Sequence, residues 1–225
     1  MKAVVFDLDG TLVHSAPDMA IAINAVLARY DLGPLSAEKA QRFVGDGARK
    51  LVERAFARYD RAPDSVEKAV TQFQHEYAKT GHTLTQPYPG AVEALDRLRA
   101  RGVALAICTN KDEGPARTLL DVLGLTDRFA AIIGGDTVGV RKPDPKPLFA
   151  AAAGCGAAVD EIVYVGDGET DRATARAAGA AFALHTQGYR KSAVDELAPH
   201  AAFDAYADLD VALARAQSAA GRAAA

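Results

Sequence analysis

Short apolar runs alternate along this chain with longer stretches whose apolar residues recur every three or four positions. Lys2-Ala-Val-Val-Phe6 is β-branched and aromatic and halts at Asp7, the pattern of a buried strand. Residues 90–101 place Val92, Leu95 and Leu98 on one face and meet Gly102, which predicts a helix and its stop. Strands then follow at 103–108, 130–133, 161–165 and 181–184, with helices at 113–123, 145–153 and 170–178 between them and a last helix from about 205. Strand and helix in strict turn predict an α/β fold, a Rossmann-like doubly wound sheet with mostly parallel strands. The Ala-rich stretch 219–225 reads as a frayed end.

One interval breaks the alternation. Residues 14–86 are too many for a loop in a compact domain. They carry helical spacing at 16–30 (Ile23, Val26, Leu27, Tyr30), 36–44 and 48–59 (Leu51, Val52, Ala55, Phe56). Asp64-Ser-Val-Glu67 has the form of a capping box opening a further helix that Gly81 can end. The expectation is an α-helical cap, residues 15–86, inserted into a core formed by 1–14 and 87–225. Its hinges fall near Ser15 and Pro87-Tyr-Pro89.

Composition narrows the function classes. The chain has 225 residues, 49% hydrophobic and 24% charged, with a net charge of -3. That balance gives no broad electrostatic footprint for nucleic acid or a membrane, so any phosphate site has to be local, made from a few placed cations. No apolar run is long enough to span a bilayer, and acidic residues come too early for a signal peptide. Cys108 and Cys155 lack metal or redox spacing and read as small buried hydrophobes. A cytoplasmic protein, monomer or homodimer, without nucleic acid or membrane partners, is the expectation.

The polar residues at the predicted strand ends supply the chemistry. In an open parallel sheet, ligands bind beyond the carboxyl ends of the strands. Strand one ends in Asp7-Leu8-Asp9-Gly10-Thr11, strand two in Thr109-Asn110, and strand four in Gly166-Asp167 through Asp171; Arg141-Lys142-Pro143 follows strand three. Each motif alone is ordinary turn or surface chemistry. Together they make one crevice in which a divalent cation on Asp7, Asp9 and Asp167 offsets the carboxylates, oxygen ligands suiting Mg2+. Asp7 is then the nucleophile toward phosphorus, Asp9 the general acid and base, and Lys142 a fixed positive charge. Thr109, Asn110 and the backbone at Gly10 are candidate phosphate binders.

These motifs resemble the signature of the haloacid dehalogenase superfamily of phosphohydrolases. Asp7-Leu-Asp9-Gly-Thr11-Leu matches its first motif, Thr109-Asn110 the second, Lys142 the third, and Gly166-Asp167 through Asp171 the fourth. An insertion after the first motif matches the family's helical cap. Phe6 to Asp18, Phe43-Val-Gly-Asp-Gly-Ala48 and Ile133-Gly-Gly-Asp136 are similar to bacterial phosphoglycolate phosphatases. The resemblance implies hydrolysis of a small phosphate monoester such as 2-phosphoglycolate with magnesium. A β-phosphoglucomutase-like mutase, another small-ester phosphatase, a dehalogenase and a non-catalytic binding protein are the alternatives. His14 and Gly168 depart from the family pattern, which has Asp and Ser there; His14 reads as a solvated loop residue. In the cap, Arg42, Arg49, Lys50 and Arg54 flank Gly45-Asp46-Gly47, and Arg49 is taken as a substrate-binding candidate.

Overall fold

Six strands of the alternating segment hydrogen-bond into one parallel sheet. The structure is a computed structural model that describes residues 1–223. In chain order its elements are β1 (Ala3–Phe6), β2 (Val13–His14), α1 (Ala16–Ala28), α2 (Ala37–Gln41), α3 (Gly47–Ala57), α4 (Val66–Lys79), β3 (Gln86–Pro87) and α5 (Ala91–Ala100). Then come β4 (Ala104–Cys108), α6 (Glu113–Val122), β5 (Ala131–Ile133), α7 (Lys146–Gly154), β6 (Ile162–Gly166) and α8 (Glu169–Ala178). The chain closes with β7 (Ala181–His185), α9 (Val194–Leu197), β8 (Ala201–Phe203) and α10 (Leu209–Ala223).

The strand order is β5-β4-β1-β6-β7-β8, with every pair parallel. The central strands are apolar on both faces because both are covered. Val4 and Phe6 of β1, Leu105 and Ile107 of β4, and Val163 and Val165 of β6 face α5, α6 and α10. Ala3, Val5, Ala106, Tyr164 and Phe182 point the other way, onto α7 and α8. Strand β8 escapes the sequence pattern, because its three residues are too few to display a period. The expected fraying is also corrected: α10 continues through Ala223, while residues 224–225 lie outside the described residues.

Helices α1 to α4 bury their apolar stripes in a second cluster around Ile23, Leu27, Val52, Phe56 and Phe73, which Tyr189 from beyond β7 joins. The chain leaves and re-enters the sheet region side by side, since β2 and β3 pair antiparallel (Val13 with Pro87, His14 with Gln86). Asp18, fully buried, reinforces that crossing by accepting from Thr85 Oγ1 at 2.7 Å and the Leu84 amide at 3.1 Å. The expected capping box is shifted by one residue. Ser65, not Asp64, caps α4, its hydroxyl accepting from the Lys68 amide at 3.2 Å.

Candidate active site

The strand order reverses beside β1, with β4 on one side and β6 on the other, and the carboxyl ends of these three strands carry the polar motifs. Asp7, Thr109 and Asp167 each follow the last residues of a strand; the Asp7 amide still donates to Val165 and that of Thr109 to Ile133. Backbone pairing of rigid neighbours therefore fixes where these side chains begin. All three are at most 5% exposed.

Lys142 is the hub of the buried charges. Its ammonium lies 3.0 Å from Asp7 Oδ1, 2.7 Å from Asp171 Oδ1 and 2.8 Å from Tyr164 Oη. Asp171 is saturated in turn, since Oδ1 also takes the Tyr164 hydroxyl at 2.7 Å and Oδ2 takes the amides of Asp167 and Gly168. Two nearby carboxylates hold the ammonium charged in spite of its burial, raising its pKa well above the usual lysine value. Asp171 thus orients both the cation and the turn that bears Asp167.

Asp9 sits apart from that cluster. Its Oδ1 accepts from Ser15 Oγ at 2.6 Å and its Oδ2 pairs with Lys111 Nζ at 3.1 Å. Asp7 and Asp9 both border a cavity of about 270 Å³, with Thr109 from the core and Val44, Leu51 and Phe73 from the inserted helices. The inserted helices close on the core through Thr170 Oγ1 to Asp46 (2.7 Å), Gln74 to Asp112 (3.0 Å) and Asn110 Nδ2 to the Gly45 carbonyl (3.2 Å).

A family model described as haloacid dehalogenase-like hydrolase matches residues 1–179. The chain belongs to this family. Among relatives of the same hydrolase family, a phosphoglycolate phosphatase of Rhodospirillum rubrum is 46% identical over 214 residues, 92% of this chain and 89% of its own length. One from Cereibacter sphaeroides is likewise 46% identical, covering 96% of this chain and 99% of the relative. The crystal structure of a predicted phosphoglycolate phosphatase from Haemophilus somnus superposes with a TM-score of 0.88 at 31% identity, covering 94% of this chain and 97% of that one.

The site of this haloacid dehalogenase-like hydrolase departs from the sequence expectation in several places. Asp9 does not join the metal-capable carboxylates, which are Asp7, Asp167 and Asp171, with ligand atoms all within 4.8 Å of one another. Ser15 and Lys111 hold its side chain elsewhere. The Gly10 amide is not offered to a ligand, because it donates to the Val13 carbonyl at 2.9 Å. What Gly10 supplies is room: at φ +85°, a Cβ there would lie 2.5 Å from Asp167 Oδ2. Asn110 spends its amide on the Gly45 and Lys142 carbonyls and accepts from the Lys142 amide, so it fixes the lysine loop. Arg49 points away from the cavity, exposed and paired with Glu67 at 2.6 Å and Glu53 at 3.7 Å. His14 is half-buried with its Nδ1 3.0 Å from Tyr189 Oη. Gly168, the other departure, serves as a main-chain donor to Asp171.

Two groups were not singled out from the sequence. Lys111, directly after Thr109-Asn110, is only 7% exposed along its side chain. Tyr189 links the metal-capable loop to the crossing segment: its amide donates to Asp167 Oδ2 at 2.6 Å, and its hydroxyl accepts from the amides of Ser15 and Ala16. A tyrosine 22 residues beyond Asp167 carries no local signal; the position of Lys111 beside the second motif is the available clue.

The carboxylates fit a hard cation. Asp7 Oδ1 is buried and has no hydrogen-bond donor, its contact with Lys142 being an ion pair without hydrogen-bond geometry. Burial, with the Asp171 charge adding to it, pushes the Asp7 carboxyl up to about 7 even though Lys142 opposes the shift. Burial and the charges of Asp171 and Asp7 also push Asp167 well above the ordinary carboxylate range. Such a pair carries two negative charges comfortably only with an added positive ion between them. Asp171 takes two hydrogen bonds on each oxygen, whereas Asp167 takes one on each, from Thr11 Oγ1 and the Tyr189 amide, so Asp7 and Asp167 are the direct ligand candidates.

Proposed function

We propose that this protein is a magnesium-dependent phosphatase that converts 2-phosphoglycolate to glycolate and phosphate through a phosphorylated Asp7. The observation that carries the reaction class is the buried Asp7 carboxylate, set between Lys142 and the metal-capable Asp167 at the edge of a cavity that also holds Asp9. The substrate choice rests on the relatives at 46% identity, which are named phosphoglycolate phosphatases. Residues 15–86 act in this reading as a cap that excludes water during the first step.

Asp7 attacks phosphorus in line with the leaving alkoxide, while Asp9 gives its proton to that alkoxide as the P–O bond breaks. Asp9, now a carboxylate, takes a proton from water, which attacks the aspartyl-phosphate and releases phosphate with Asp7 restored. Lys142 and the Thr109 hydroxyl stabilise the charge on the phosphoryl oxygens. Bound by Asp7 and Asp167, Mg2+ supplies charge neutralisation that lets an anion approach a carboxylate nucleophile.

Phosphate release from a panel of esters (2-phosphoglycolate, glucose phosphates, nucleotides, pyridoxal phosphate) with magnesium and with EDTA tests the reading. The expected result is a clear preference for 2-phosphoglycolate, lost in EDTA and restored by Mg2+. Preference for a different ester overturns the substrate; turnover unaffected by EDTA overturns the metal. Asp9→Asn is expected to lower kcat by about 10²- to 10⁴-fold, the range for a removed general acid–base group. Unchanged steady-state turnover in that variant removes Asp9 from the role.

A further inference from the structure

We propose that Lys111 reads a negative charge on the leaving group. The preferred substrates are then small phosphomonoesters whose alcohol part bears a carboxylate one or two carbons from the bridging oxygen. The inference deepens the proposed function and rests on its placement of Asp9 at that oxygen.

Lys111 follows β4 on the core, yet its ammonium lies under the inserted helices. It is 3.1 Å from Asp9 Oδ2, 3.4 Å from Tyr77 Oη and 4.6 Å from the centre of the Tyr77 ring. An ammonium has three N–H groups, and no third partner for this one is found among the described residues. Keeping a cation in so dry a place is costly unless its charge is used. Before an ester binds, the Asp9 carboxylate meets part of that cost; once Asp9 carries the proton it delivers, the Lys111 charge is left for an anion of the substrate.

Four other cations of this region are committed. Lys142 is held by Asp7, Asp171 and Tyr164. Arg141 pairs with Asp112, Arg54 with Asp46 and Arg49 with Glu67. Lys111 is the one Lys or Arg among the described residues that line the cavity. His82, also lining it, is 5% exposed and packs edge-on against Tyr77, and its Nδ1 has no hydrogen-bond partner. Two buried polar groups with unmet hydrogen-bonding capacity thus border the side of the cavity that carries Asp9 and Tyr77.

Distance sets the class of ligand. Asp9 has to reach the bridging oxygen to protonate it, and Lys111 stands one hydrogen bond beyond Asp9. An anion meeting Lys111 is therefore separated from the bridging oxygen by a short spacer. A carboxylate on the adjacent carbon satisfies that, whereas a sugar places neutral hydroxyls there. Tyr77 and His82 come from the inserted segment and Lys111 from the core, so the same anion also ties the two together.

The test compares 2-phosphoglycolate with 2-hydroxyethyl phosphate, an ester of similar size with a neutral leaving group, in the wild-type protein and in Lys111→Met. Loss of the Asp9 partner lowers turnover of both esters, so the readout is the ratio of their kcat/KM values. That ratio is expected to fall by about 10- to 100-fold, the worth of one hydrogen bond between charged groups. Lys111→Arg is expected to recover much of it. A ratio unchanged in Lys111→Met overturns the inference while leaving the substrate reading intact. A wild-type protein that does not favour 2-phosphoglycolate overturns the substrate reading before any variant is made. Should Lys111→Met turn over neither ester, calorimetric titration decides: glycolate binding lost with inorganic phosphate binding kept supports the inference, and glycolate binding retained overturns it.

Discussion

Asp7→Asn is expected to lower turnover by at least about 10⁴-fold on every ester, the scale seen when a covalent nucleophile is removed. Appreciable residual magnesium-dependent hydrolysis sinks the assignment. The same substitution should also flatten the pH dependence of stability when magnesium is absent. The folded protein holds the Asp7 carboxyl at about 7, above its ordinary value of 3.8, because burial opposes the charge. Relative to the unfolded chain, the folded state binds this proton more tightly. The stability it contributes is therefore present below about pH 4 and lost as pH rises through about 7. Asn cannot ionise and escapes that loss. In EDTA, the wild-type protein should lose stability relative to Asp7→Asn between pH 4 and 8, and added magnesium should narrow the gap. Urea melts of both proteins across that range check it; parallel curves refute the electrostatic account.

Why some of this was legible in the sequence and some was not follows from how each residue is held. Asp7, Thr109 and Asp167 are placed by backbone pairing at the ends of strands whose apolar runs are visible in one dimension. Their convergence therefore needed only the α/β pattern and the rule for open sheets. Residues whose state depends on a partner far along the chain behaved differently. Asp9 looked like a third metal ligand beside Asp7, yet Ser15 and Lys111 draw its carboxylate aside. Gly10 looked like a phosphate donor until the Val13 carbonyl was seen to occupy its amide. Arg49 lay beside the right loop, but a helix presents neighbours to different sides, and Glu53 and Glu67 claim this one. It is the glycines of that loop that abut the core: a Cβ on Gly47 would come within 3.2 Å of the Asn110 carbonyl.

The largest stability effect is expected at Asp171, which the sequence presented as one more acid in the fourth motif. Its side chain accepts four hydrogen bonds, from Lys142, Tyr164 and the amides of Asp167 and Gly168, and it is 3% exposed. Asp171→Asn keeps the shape but turns one acceptor oxygen into a donor. Whichever way the amide is oriented, an NH2 then faces donors: the Lys142 ammonium and Tyr164 hydroxyl on one side, two main-chain N–H groups on the other. The Lys142 charge also loses one of its two carboxylate partners. Breaking a buried ion pair from one side typically costs about 3–5 kcal/mol, because the remaining charge stays desolvated. Urea unfolding should show a lower midpoint with an unchanged m-value. Activity should fall as well, by about 10²-fold, because Lys142 and the turn bearing Asp167 lose the anchor that holds both within reach of Asp7. A loss of less than about 1 kcal/mol, the scale of an exposed pair, would mean that solvent reaches Asp171 and that Lys142 is oriented by Asp7 and Tyr164 without it.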